Sequence, residues 1–135
     1  MKNNQINIED NRRIKSIQEE FNAIFPYLKL EFYVDDANNT PLSSRKIRLI
    51  DGRTIADCRN IHNSGVITIF PEMSVLDMEN IFFQSFGISV QVLRKAGNIW
   101  QQTSHTDSWS LEEQNRQGEI VSTYIGKQKM QSKGE

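Results

Sequence analysis

Cysteine and histidine are scarce in this chain: its 135 residues include one cysteine, Cys58, and two histidines, His62 and His105. A lone thiol excludes an internal disulfide and fits a reducing compartment. Cys58 and His62 stand at the i, i+4 spacing of a helical metal pair, but no second Cys/His pair exists to complete a four-ligand zinc set, so no metal and no cofactor is expected. No apolar run is long enough to span a bilayer, and the polar start of the chain lacks the pattern of a secretory signal. The expected location is the cytoplasm, away from membranes. Nor is charge of one sign in excess: 16 Lys and Arg against 17 Asp and Glu leave a net charge of −1, which provides no global field for nucleic acid or membrane. Arg45, Lys46, Arg48, Arg53 and Arg59 outnumber Asp51 and Asp57 locally, as a solvated surface does.

The chain is instead organised around residues 74–104. Ser74 with Asp77 three residues on is a helix-start signature, and Gly87 is where that helix should stop. At 100° per residue Val75, Leu76, Met78, Phe82, Phe83 and Phe86 share one broad arc, so the helix is expected against a wide sheet or covered on two sides. Glu79 falls inside the arc. A carboxylate there must be paired, protonated or part of a site; the plain reading is a structural ion pair with Arg94 or an arginine from 45–59, or hydrogen bonds to a neighbouring strand. Ile88, Val90 and Val92 then alternate with Ser89 and Gln91, and Gly97-Asn98 makes a turn into a return strand over 99–103, a β-hairpin.

Before this centre, residues 1–6 read as frayed. Ile14, Ile17, Phe21, Ile24 and Phe25 mark an amphipathic helix capped by Asn7 or Asp10 and ended by Pro26. Residues 27–35 alternate as a strand, with Tyr27, Lys29, Glu31 and Tyr33 on its wet side. A loop follows, in which the adjacent carboxylates Asp35 and Asp36 point apart and make no metal site. Residues 46–50 suggest an edge strand, Thr54 with Asp57 a cap opening a short helix through Asn60, and 66–70 another strand. After the hairpin, Ser104, His105 and Asp107 invite a catalytic-triad reading, yet consecutive residues rarely converge and no nucleophile elbow is present. The plainer expectation is a turn, with Trp109 folded onto the core. Ser110 and Glu113 open a short helix that Gly118 should end, leaving Ile120, Val121, Tyr124 and Ile125 for a last strand or helical turn.

The expected fold is therefore a single α+β domain over 1–125, a mainly antiparallel sheet of about four strands with helices packed on one face, followed by a polar, disordered tail over 126–135. Val90-Gln91-Val92-Leu93-Arg94-Lys95-Ala96-Gly97-Asn98-Ile99-Trp100, with Thr106-Asp107-Ser108-Trp109-Ser110-Leu111-Glu112-Glu113-Gln114-Asn115 after it, resembles a segment of a group of small bacterial proteins without an assigned activity. The resemblance covers about a fifth of the chain and implies a self-contained domain, with no functional residue to carry over. The leading functional expectation is a non-catalytic protein-interaction module, with a protein partner or self-association as a homodimer, using Arg94, Lys95 and Trp100 on the hairpin. The alternative is a nucleic-acid binder in which Tyr27, Tyr33 and Trp100 stack on bases while Lys29, Arg94 and Lys95 meet phosphates. An acid–base enzyme would have to bring Glu79, His105 and Asp107 into one pocket.

Overall fold

The computed structural model describes residues 4–35, 46–48 and 52–133. In chain order they form β1 (Asn4–Ile8), α1 (Ile14–Ile24), β2 (Leu28–Asp35), β3 (Lys46–Arg48), β4 (Gly65–Ile69), α2 (Val75–Phe86), β5 (Ser89–Ala96), β6 (Ile99–Gln102) and α3 (Leu111–Lys133). Short 3₁₀ turns occupy Ile55–Cys58 and Ser104–Thr106. The fold is α+β, with a four-stranded antiparallel sheet in the order β3-β2-β5-β6 and a separate two-stranded ribbon of β1 and β4. Residues 36–45, on which most of the loop expected after Asp35 falls and which include Asp36, and residues 49–51 lie outside the described residues.

Local signals fix the central helix and hairpin. The Ser74 hydroxyl accepts the Asp77 N–H at 3.0 Å, and Gly87 closes α2 in the left-handed conformation at φ +67°. A side chain at Gly87 would be doubly unwelcome, because its Cβ would lie 2.5 Å from Ile61. The capping box at Thr54 and Asp57 forms as the spacing predicts, and the Thr54 N–H and hydroxyl hold the Asp57 carboxyl below its usual range.

All three helices lie on one face of the four-stranded sheet. That face carries Leu28, Leu30 and Phe32 from β2 and Val90, Val92 and Arg94 from β5, placed side by side by the strand register. α1 packs on β2, while α2 and α3 pack on β5. Phe82 of α2 meets Phe32 edge to face at 6.2 Å, a geometry worth about 0.5–1.5 kcal/mol beyond the area it buries. Ile6, Ile8, Ile67 and Ile69 close the core from the two-stranded ribbon.

The structure corrects several expectations. Residues 4–6 are not frayed: Ile6 and Ile8 are fully buried, so β1 pairs with β4 across five residues. Neither Asn7 nor Asp10 caps α1. Its first residues are met by backbone instead, with the Ile14 N–H donating to the Arg53 carbonyl at 3.0 Å and Arg13 bridging Thr54. Only part of the broad α2 arc is covered; Leu76 and Phe83 are 44% and 56% exposed. Trp109 does not enter the core and is half-exposed, its ring beneath the Arg94 guanidinium at 5.6 Å. The largest difference is α3, which runs straight through Gly118 to Lys133 and takes up residues 126–133 of the expected tail. Gly118 does not stop the helix because its φ is ordinary. It is a contact point: a Cβ there would lie 2.9 Å from Tyr27 Cβ and 3.2 Å from the Tyr27 carbonyl.

Candidate functional site

β6 covers only half of β5, and the site is built where it leaves off. The last register pair is Leu93 with Gln102, after which the chain turns into the 3₁₀ segment. At Val92 two side chains replace the missing strand: the Thr103 hydroxyl donates to the Val92 carbonyl at 2.8 Å, and the Glu79 carboxylate accepts the Val92 N–H at 3.0 Å. The anomalous acid on α2 thus reaches a neighbouring strand, as one of its plain readings required. Arg94, the partner it was also offered, is used elsewhere, donating to Gln114 at 2.8 Å over Trp109. Beside Val92 opens a cleft of about 210 Å³ lined by Tyr33, Glu79, Ser89, Val90, Gln91, Ser104 and Asp107.

Of the three acid–base candidates, Glu79 and Asp107 share this cleft. His105 does not line it, and its side chain is exposed on the 3₁₀ turn. The buried Gln114 holds that turn from behind, donating to the Thr106 carbonyl and hydroxyl at 2.6 and 2.8 Å while accepting from Arg94.

The expected binding residues fall in three places. Tyr33, Lys95 and Trp100 share the helix-free face of the sheet, where Lys29 stands over the Trp100 ring at 5.7 Å and the Glu31 carboxylate takes both the Tyr33 hydroxyl at 2.9 Å and the Lys29 ammonium at 3.6 Å. Tyr27 and Lys95 line a second cleft between the hairpin turn and α3, about 250 Å³ in volume. Arg94 is on the opposite, helix-covered face from Lys95 and Trp100.

Cys58 and His62 do not form a pair. The Cys58 thiol is buried and bonds the Ile55 carbonyl, and burial, partly offset by the Arg59 charge, pushes its pKa up to about 11. His62 is exposed and contacts Asp10 at 2.7 Å. Asp10 also receives two hydrogen bonds from the buried Arg59, which reaches on to the Asn63 and Phe86 carbonyls. Desolvation acts to raise the Asp10 pKa, but the bonds and charges of Arg59 and His62 together hold it below its ordinary value. Among the described residues no group of three or more His, Cys, Asp or Glu could hold a metal ion.

One feature was missed in the sequence. Along α3 the residues that face the body of the domain are Leu111, Gln114, Asn115, Gly118, Ser122 and Ile125, while Ile120, Val121 and Tyr124 are 47%, 37% and 61% exposed on other sides of the helix. The i, i+1, i+4 spacing of those apolar residues was the available signal. No helix among the described residues is long and apolar enough to cross a membrane. Compared with known proteins, the chain matches no family model, no curated protein and no solved structure.

Proposed function

We propose that the chain is a non-catalytic protein-interaction module that associates through α3 with an apolar helix face, in the first instance that of a second copy. The observation that carries this reading is the exposed set Ile120, Val121 and Tyr124 on a helix already anchored by a different stripe. Fully burying an isoleucine or similar side chain is worth about 1.5–3 kcal/mol. Three half-exposed residues from each of two copies therefore offset an association cost of about 4–15 kcal/mol only narrowly. The dimer should be weak and concentration-dependent. Sedimentation velocity across the micromolar to millimolar range tests it: the wild type should shift toward dimer, and the Ile120→Asp, Tyr124→Asp double variant should stay monomeric. A wild type that is monomeric throughout refutes self-association.

A second reading has its own support, namely that Tyr33, Lys29, Lys95 and Trp100 share the helix-free sheet face. Single-stranded nucleic acid is bound by such a mixture, though Glu31 sits in its middle. Titration of a mixed-sequence oligonucleotide should then shift the amides of Lys29 and Trp100, with the effect fading as salt rises. Unmoved amides on that face remove this reading.

A further inference from the structure

The backbone of β5 alternates strictly in direction. Lys95 donates its N–H to Tyr27, on the β2 side, while Val92 turns both its groups to the β6 side, toward Glu79 and Thr103. Val90, two residues before Val92, must face the same way. The residue that continuation of the register would set opposite it is His105, which has already turned away in the 3₁₀ segment. Among the described residues no group takes the Val90 N–H or carbonyl on that edge. An unpaired pair of this kind, beside a cleft, is the template on which an extended chain adds as a strand.

We propose that this cleft is a strand-addition site for a short extended segment of a partner protein with a lysine or arginine opposite Val90. The volume, about 210 Å³, is below the ~300–1,000 Å³ of small-molecule pockets and suits one residue and its flanking backbone. A residue paired with Val90 projects its side chain to the same sheet face, which is the face of α2. There Glu79 is flanked one turn to either side by the exposed Leu76 and Phe83, and the Asp107 carboxylate lines the cleft. Asp107 is held in place by its carbonyl, which accepts the Leu76 N–H at 2.9 Å. An aliphatic stem lying over Leu76 or Phe83 with a cationic head at Asp107 matches this arrangement, and an acidic side chain would be repelled.

The site is distinct from the α3 stripe, so the test is run on the full-length chain and repeated on the Ile120→Asp, Tyr124→Asp variant. The probe is a capped pentapeptide of alternating threonine and valine with a central lysine, followed by amide-resolved NMR. Shifts should cluster on 88–92 and 104–107 in both proteins. Methylating the backbone nitrogen of the central lysine should weaken binding roughly tenfold, through one lost ladder hydrogen bond. Asp107→Asn should weaken it roughly twofold to fivefold, as an exposed ion pair does, and a central glutamate should abolish it. The proposal is overturned if the Val90 amide is unmoved at millimolar peptide, if the methylated peptide binds equally well, or if Asp107→Asn changes nothing. Binding in a variant that no longer self-associates keeps this inference apart from the fate of the α3 reading.

Discussion

Replacing Gly118 with alanine puts two physical effects in direct opposition within one helix. Glycine inside a helix is about 1 kcal/mol less favourable than alanine, so propensity alone makes the substitution stabilising. Packing reverses the sign. The new Cβ would lie 2.9 Å from Tyr27 Cβ and 3.2 Å from both the Tyr27 carbonyl oxygen and Arg94 Cγ. The two Tyr27 atoms belong to or adjoin the backbone and cannot swing aside, so α3 must retreat by a few tenths of an ångström. Retreat stretches the bond from the Tyr27 N–H to Asn115 and the bond from Arg94 to Gln114, both 2.8 Å. Overpacking of this kind costs about 1–3 kcal/mol, leaving a net destabilisation of about 1 kcal/mol and at most about 2. Gly126 is the control on the same helix, because nothing lies within 4 Å of its would-be Cβ. Gly126→Ala should stabilise by up to about 1 kcal/mol, less as it nears the helix end. Urea unfolding and thermal melting read both, with 1 kcal/mol moving Tm by roughly 3–5 °C at this chain length. If Gly118→Ala stabilises as much as Gly126→Ala, α3 does not press on Tyr27 and the packing argument fails.

Arg59→Met should cost about 2–4 kcal/mol in chemical denaturation, since it leaves the Phe86 and Asn63 carbonyls and the Asp10 carboxylate without their buried donor; a loss below about 1 kcal/mol would show the guanidinium to be dispensable. Thr103→Val keeps the shape but removes the buried bond to the Val92 carbonyl, for an expected loss of about 1–2 kcal/mol and faster amide exchange along β5 and β6. Asp10 has a lowered folded-state pKa, so its charged form contributes stability above the ordinary carboxyl value of 3.8, and that contribution is lost as pH falls through the lowered one. Asp10→Asn should melt at a temperature that varies less with pH across this window than the wild type, and an identical acid slope in the two proteins would exclude Asp10 as its source.

Short-range chemistry was legible in the sequence wherever it decided the outcome. Ser74, Gly87, the Thr54–Asp57 box and the Gly97-Asn98 turn each do what their residue types require. The alternation in β2 and β5 also placed the covered face. What the sequence did not reveal depends on partners distant along the chain. Glu79 stood out as an anomaly and a strand was among its expected partners, but that the Val92 backbone N–H is one of them is advertised by no residue type. Asp10 looked like a helix cap because it precedes α1; Arg59, 49 positions away, claims it instead. β1 was passed over because only Ile6 and Ile8 are apolar in its five residues, too short an alternation to register without its partner β4.

The outward apolar residues of α3 follow from how the helix is held. On the ordinary amphipathic rule Ile120 and Tyr124 would face the sheet, and α3 would have to turn by roughly half a revolution to bury them. The surface it meets forbids this. That surface offers Arg94, the Tyr27 backbone and the Gly97 N–H, and these are matched by Gln114, Asn115, Gly118 and Ser122, the last accepting the Gly97 N–H at 3.1 Å. Rotation would break three hydrogen bonds and drive bulk into the Gly118 contact. Between Leu111 and Ile125 the seat is made of polar and small residues, which leaves Ile120, Val121 and Tyr124 turned away from it. The same polar seat made α3 look short in the sequence: its anchoring stripe lacks the hydrophobic period by which a buried helix face is usually detected, and the hydrophobic period it does carry lies off the seat.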